Sequence, residues 1–400
     1  MVAAAMLGVT VSTAPKAKAA TFSWNQTAAS TYSWTTSANW DVSPYPNAIG
    51  DVVNLSSGSV AQTVNLNAVI TIGELNFGAP GPTLGAPGYT LAAGTGGHLI
   101  LDDTDGAVSI NKLSGSPSTD TISADILFND SLTISNNSGG GVVKFTGTMR
   151  SLTSDITVTG SGAVAAGSIV TGAISTAGGL IKDGVGITQM DVNTTYAGTT
   201  WIKAGRLIAN TTASIPTRSA ITIDSGAILE SKANTNIWGS ITGAGNVTIT
   251  SGTRNITIGR DDTSTSFSGT ITSTTPSGLS VTKIGAGTLT LKPAGSNANT
   301  YTGVTTVSGG NLVLDTSSSS LTSAFWAATP LTISGGNFEL KGRSAQTLTQ
   351  TLGAFVLGAT GGSITLTPNS GTSTNLVLGA VTATASGGTL LIAAPSTTTV

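Results

Sequence analysis

Apolar and polar residues alternate in short runs along most of the chain. In Ile221-Thr222-Ile223, Val247-Thr248-Ile249 and Leu331-Thr332-Ile333, apolar side chains occupy positions i and i+2 with threonine between them. That two-residue period puts the apolar set on one face and the hydroxyls on the other, which is the signature of a strand. Gly226, Gly252 and Gly336 each follow five positions after the first apolar residue of their run. A glycine there lets the backbone turn where a branched residue would resist. The pattern predicts an all-β chain, nearly free of helix, with glycine at its corners.

A longer unit also recurs. Lys182-Asp183-Gly184-Val185-Gly186 leads to Tyr196-Ala197-Gly198-Thr199-Thr200-Trp201-Ile202 and then to Gly205-Arg206-Leu207. Lys283-Ile284-Gly285-Ala286-Gly287 leads to Tyr301-Thr302-Gly303-Val304-Thr305-Thr306-Val307 and then to Gly310-Asn311-Leu312. The shared grammar is K-x-G-x-G, a loop of variable length, Y-x-G-x-T-x-[IV] and G-x-L. Loops that vary between fixed strand motifs are expected where each coil stacks on its neighbours and only the corners are free.

Composition narrows the choice. Only 8% of residues are charged, 39% are hydrophobic, 52 are glycine, and the net charge is −2. Amphipathic helices need more Lys and Glu on their wet face, and disorder needs lower hydrophobicity and more charge. Sixteen scattered Lys and Arg residues form no stripe for nucleic acid. No run of 18 apolar residues reads as a membrane-spanning helix. One His and no Cys leave no thiolate set for a transition metal and no disulfide, so no metal and no cofactor are expected.

The segments Lys283–Leu291, Asn299–Val307 and Gly310–Leu314 resemble the autotransporter-associated β-strand repeat, also called the passenger-associated transport repeat. Thr263–Ile271 resembles the strand that leads into it, and a degenerate copy occupies about 180–208. The fuller copy spans about 263–314. The resemblance implies a parallel β-helix (a β-solenoid) from the passenger region of an exported bacterial protein, at the cell surface, on the outer membrane or secreted. It implies no enzymatic activity. The expected organisation is a signal peptide at 1–19, a Trp-rich N-terminal β cap at 20–100 and β-helix passenger repeats at 101–400. Ala17-Lys18-Ala19 fits a cleavage site; the basic segment that should precede the apolar stretch is missing, so the leader reads as truncated at its start. The outer-membrane translocation barrel, with its aromatic girdles, is not expected within this chain. Coils of roughly 20–25 residues would give a monomeric rod about 60 Å long.

Candidate chemistry is sparse. Trp24, Trp34 and Trp40 suggest either a platform for sugars or an aromatic seal over the first coil; the seal is the expected reading. Asp102-Asp103-Thr104-Asp105 and Arg260-Asp261-Asp262 could supply carboxylates for calcium or for acid–base work, but read as corner turns. His98 lacks a G-x-S-x-G nucleophile turn nearby, and Gly139-Gly140-Gly141 precedes no helix that could hold a phosphate. Threonine runs such as Thr248/Thr250 and Thr365/Thr367 are too irregular for an ice-binding ladder. No catalytic residue is expected. The reading is a structural or adhesive surface stalk whose partners would be surface polysaccharide or host and matrix ligands. The alternatives are a β-helical polysaccharide-degrading enzyme and a carbohydrate-binding module centred on the tryptophans.

Overall fold

The computed structural model describes residues 19–79, 87–161, 169–250, 252–274, 278–292, 299–317, 329–370, 373–384 and 387–394. The expected signal peptide lies outside these residues apart from Ala19. Among the described residues there is no α-helix; a short 3-10 turn lies at Ser37–Asn39 between the first strands.

One coil illustrates the whole. Ala107–Lys112 runs along the first face, Asp120–Ile122 along the second and Ile126–Phe128 along the third. The chain then returns as Ser131–Asn136, parallel to Ala107–Lys112, with Leu132 opposite Val108 and Ile134 opposite Ile110. Repetition builds a sixteen-stranded sheet on the first face and an eleven-stranded sheet on the second. The third face carries a five-stranded sheet early in the chain and a seven-stranded sheet later, and a two-stranded sheet forms near the C-terminal end. Sixteen rungs at about 4.8 Å make a stack roughly 70 Å long.

Each face buries alternate residues, as the sequence period requires. On the first face a single inward file can be followed from rung to rung: Phe22, Val53, Leu75, Ile110, Ile134, Val158, Lys182, Ile202, Ile223, Gly243, Phe267, Leu291, Leu314, Leu340 and Leu366. Burying each Val, Leu, Ile or Phe of such a file contributes about 1.5–3 kcal/mol before chain entropy is subtracted. Gly243 has φ +103°, and a Cβ there would come within 2.1 Å of the Ile223 carbonyl oxygen. The file therefore contains two members that are not apolar side chains, Gly243 and Lys182, and the lysine needs a separate explanation.

At the N-terminal end Thr21–Ser23 already pairs in parallel with Val52, Val53 and Asn54. Trp24 and Trp40 meet edge to face at 4.9 Å between ring centres, Trp34 and Trp40 at 4.8 Å, and Phe22 and Trp40 at 6.5 Å. All three indole N–H groups are paired: Trp24 with Gln62 Oε1, Trp34 with the Pro46 carbonyl and Trp40 with the Trp34 carbonyl. The first coil is thus sealed by an aromatic cap whose polar atoms are satisfied internally. The parallel sheets continue without a break past residue 100, where Glu74–Phe77 pairs with Ser109–Lys112.

Candidate functional site

Lys182 ends the strand Leu180–Lys182 at a position whose neighbours in the file are Val158 and Ile202. Its side chain is 1% exposed. Nζ turns into the corner and donates to the carbonyls of Asp183 (2.6 Å), Gly184 (2.7 Å) and Ala204 (3.2 Å). Two of those carbonyls belong to its own turn and the third to the next coil. Lys283 does the same at the end of Leu279–Lys283, donating to Ile284 (2.5 Å), Gly285 (3.2 Å) and Gly309 (3.3 Å). An ammonium has three donors and no acceptor; here each finds one carbonyl. The glycine two positions on adopts φ +71° at Gly184 and +73° at Gly285, conformations that turn the corner carbonyls and that a side chain would resist.

The tyrosine of the unit has a comparable task. Tyr196 and Tyr301 are buried, and their hydroxyls meet Thr200 Oγ1 at 2.5 Å and Thr305 Oγ1 at 3.2 Å. Burial raises both phenols above their ordinary range, so they are neutral donors or acceptors at any physiological pH. Burial lowers Lys182 to about 8 and pushes Lys283 down as well, against the opposing pull of Asp262 and Asp261 on Lys283. At about 8, Lys182 stays mostly charged at neutral pH, with its positive charge facing carbonyl dipoles.

The residues singled out for chemistry are placed differently. Trp24, Trp34 and Trp40 are 2%, 0% and 4% exposed, so no ring offers a face to a sugar; they pack at 63–79° to one another because the first coil needs an apolar end. Asp103 Oδ1 accepts the Asp105 N–H, Asp130 accepts the Asp103 N–H, and Asp102 accepts from Asn129. Asp261 accepts from Ser240 Oγ and the Thr263 N–H, while Asp262, at φ +61°, accepts the Ala286 N–H of the following coil. Both acidic clusters fasten turns. Among the described residues no group of three His, Asp or Glu side chains is placed to hold a metal. His98 lines an open groove with Ser123, Asp125 and Arg150. Asp125 is held below the usual carboxylate range by hydrogen bonds from Thr148, whose N–H and hydroxyl both donate to it.

The buried lysines were visible in the sequence as members of a grammar but not as inward-facing groups. The available signal was parity: Leu180 and Lys182, or Val281 and Lys283, share one face of their strands. A lysine on the apolar face immediately before a glycine turn must bury its charge in that turn.

Comparison with known proteins agrees with this geometry. The family model described as passenger-associated-transport-repeat matches residues 180–209 and 281–314. The chain is 30% identical over 281 residues to the Adhesin BmaC autotransporter of Brucella suis biovar 1 (strain 1330), a span of 68% of this chain and 7% of that relative. No solved structure matches the chain. Both lysine corners and both Tyr–Thr pairs fall inside the matched segments, so the chain carries two copies of the passenger-associated transport repeat.

Proposed function

We propose that this chain is exported and serves as a stiff, adhesive stalk at the bacterial surface. The observation that carries the reading is the inward file from Phe22 to Leu366, stacked in one parallel register, because such a stack holds outer-face side chains at fixed spacing along a rod. The relative named as an adhesin supports the adhesive half of the reading. Surface polysaccharide and host or matrix ligands are the proposed partners, met by the polar outer faces rather than by a pocket. The corner roles of the Asp clusters weigh against a polysaccharide-degrading enzyme, whose chemistry needs free carboxylates in pairs.

Beads coated with the purified chain test the proposal. They should attach to mammalian cells, extracellular matrix or bacterial polysaccharide, and Val307→Asp should abolish attachment together with the fold. Equal attachment by beads carrying a folded, unrelated β-protein would contradict the adhesive role. Turnover of polysaccharide that disappears in Asp103→Asn, Asp261→Asn or Asp262→Asn while folding persists would replace it with the enzyme.

A further inference from the structure

A third buried lysine has a different partner. Lys112 lies in an inward file after Phe77 and before Asn136 on the first face. Asp120 lies in an inward file after Tyr89 and before Val143 on the second. The two files converge at a corner where both side chains are 0% exposed, and Lys112 Nζ is in direct contact with Asp120 Oδ2. Gly141 closes the corner from the next coil; a Cβ there would lie 2.2 Å from Lys112 Cε. Whereas Lys182 and Lys283 meet only carbonyls, Lys112 meets a carboxyl group.

We propose that Lys112 and Asp120 join in an intramolecular isopeptide bond. The Lys112 nitrogen attacks Asp120 Cγ, a C–N bond forms, the C–Oδ2 bond breaks, and one water leaves. Amine plus carboxylic acid gives amide plus water, so no oxidant, reductant or activating co-reactant is needed.

The surroundings supply what the step requires. Reaction needs the neutral amine and the neutral acid, which the pair reaches by passing one proton from Nζ to the carboxylate. Burial drives both partners that way, lowering Lys112 and raising Asp120 against their mutual attraction, because two charges are costly in an apolar corner. The Tyr89 N–H donates to Asp120 Oδ1 at 2.8 Å and faces the oxygen on which negative charge would develop during attack. Ser116, also 0% exposed, accepts from Lys112 Nζ at 2.9 Å and orients the amine, while the direct contact of Nζ with Asp120 Oδ2 gives the proton its path to the departing oxygen. The product replaces a buried ion pair with a neutral amide, and exclusion of water slows the reverse reaction. In a chain without cysteine, such a bond would be a staple that reducing conditions cannot open.

The test is the mass of the wild-type protein. Chymotrypsin cuts after Leu113, leaving Lys112 and Asp120 on separate fragments. The proposal expects those fragments to stay joined at their summed mass less one water, with Asp120→Ala giving them separately. Lys182 and Lys283 should remain free and be cleaved by trypsin in a parallel digest. Two separate fragments of full mass from the wild type, or Lys112 joined to any other residue, would overturn the proposal and leave an ion pair.

Discussion

The two repeat copies share a grammar but not a place in the solenoid. In the first, Leu180–Lys182 and Thr200–Ile202 belong to the sixteen-stranded face, and Ile187–Met190 and Arg206–Ala209 to the eleven-stranded face. In the second, Leu279–Lys283 and Thr305–Val307 belong to the seven-stranded face, and Thr288–Leu291 and Asn311–Asp315 to the sixteen-stranded face. The second copy is therefore seated one corner away from the first around the three-sided stack. What the two retain is local: the lysine on three carbonyls, the glycine at positive φ and the tyrosine on its threonine. The repeat encodes a closed corner between two strands, and whichever faces flank that corner accept it.

That comparison can be broken in graded ways. The largest effect should come from Val307→Asp or Leu312→Asp, both at 0% exposure. An unpaired carboxylate in the apolar interior should cost several kcal/mol, read as loss of the cooperative unfolding transition in denaturant. Trp34→Ala should follow at about 3–5 kcal/mol, because it opens the sealed end rather than a corner. Lys283→Ala should cost about 2–4 kcal/mol by leaving corner carbonyls unpaired, and Lys182→Ala should cost about the same despite its different faces. A Lys182→Ala variant as stable as the parent would show that the two corners are not equivalent. Tyr301→Phe should cost about 1 kcal/mol, the worth of one hydrogen bond. Asp103→Asn, Asp261→Asn and Asp262→Asn should stay within about 0.5 kcal/mol, since asparagine accepts the same backbone N–H groups and tolerates positive φ.

The corner also carries a pH signature. Lys182 is lowered from 10.5 to about 8 on folding, so the unfolded chain binds more protons between those values. Stability should therefore rise with pH across that window and fall back as pH drops through about 8. Lys182→Met should lose that pH-dependent gain, which denaturant titrations of both proteins at pH 7.5 and 10 would read (values chosen to bracket the lowered pKa).

Much of the fold was legible because strand parity survives in nearly every rung. Ile221, Ile223, Leu331 and Ile333 face inward as their spacing requires. The aromatic seal was legible from Trp24, Trp34 and Trp40 alone, since three such rings near one end of a repeat array are most cheaply buried there. The burial of Lys182 and Lys283 was legible only through strand parity, because hydropathy places lysine outside, and the third acceptor of each lies in the next coil. The change of faces between copies was not legible: Ala204 and Gly309, which lie in the next coil and accept from these lysines, follow them by 22 and 26 positions, a spacing set by loops that the motif leaves free.

Titration of the lysine side-chain amines by NMR tests the closed corner most directly. With Lys182→Met as the assignment control, the account predicts one resonance that titrates near 8 and vanishes in the variant, with Lys283 also below the ordinary lysine value. If Lys182 and Lys283 both titrate at the ordinary value near 10.5, their ammonium groups are in water, and the corners are closed by something other than lysine.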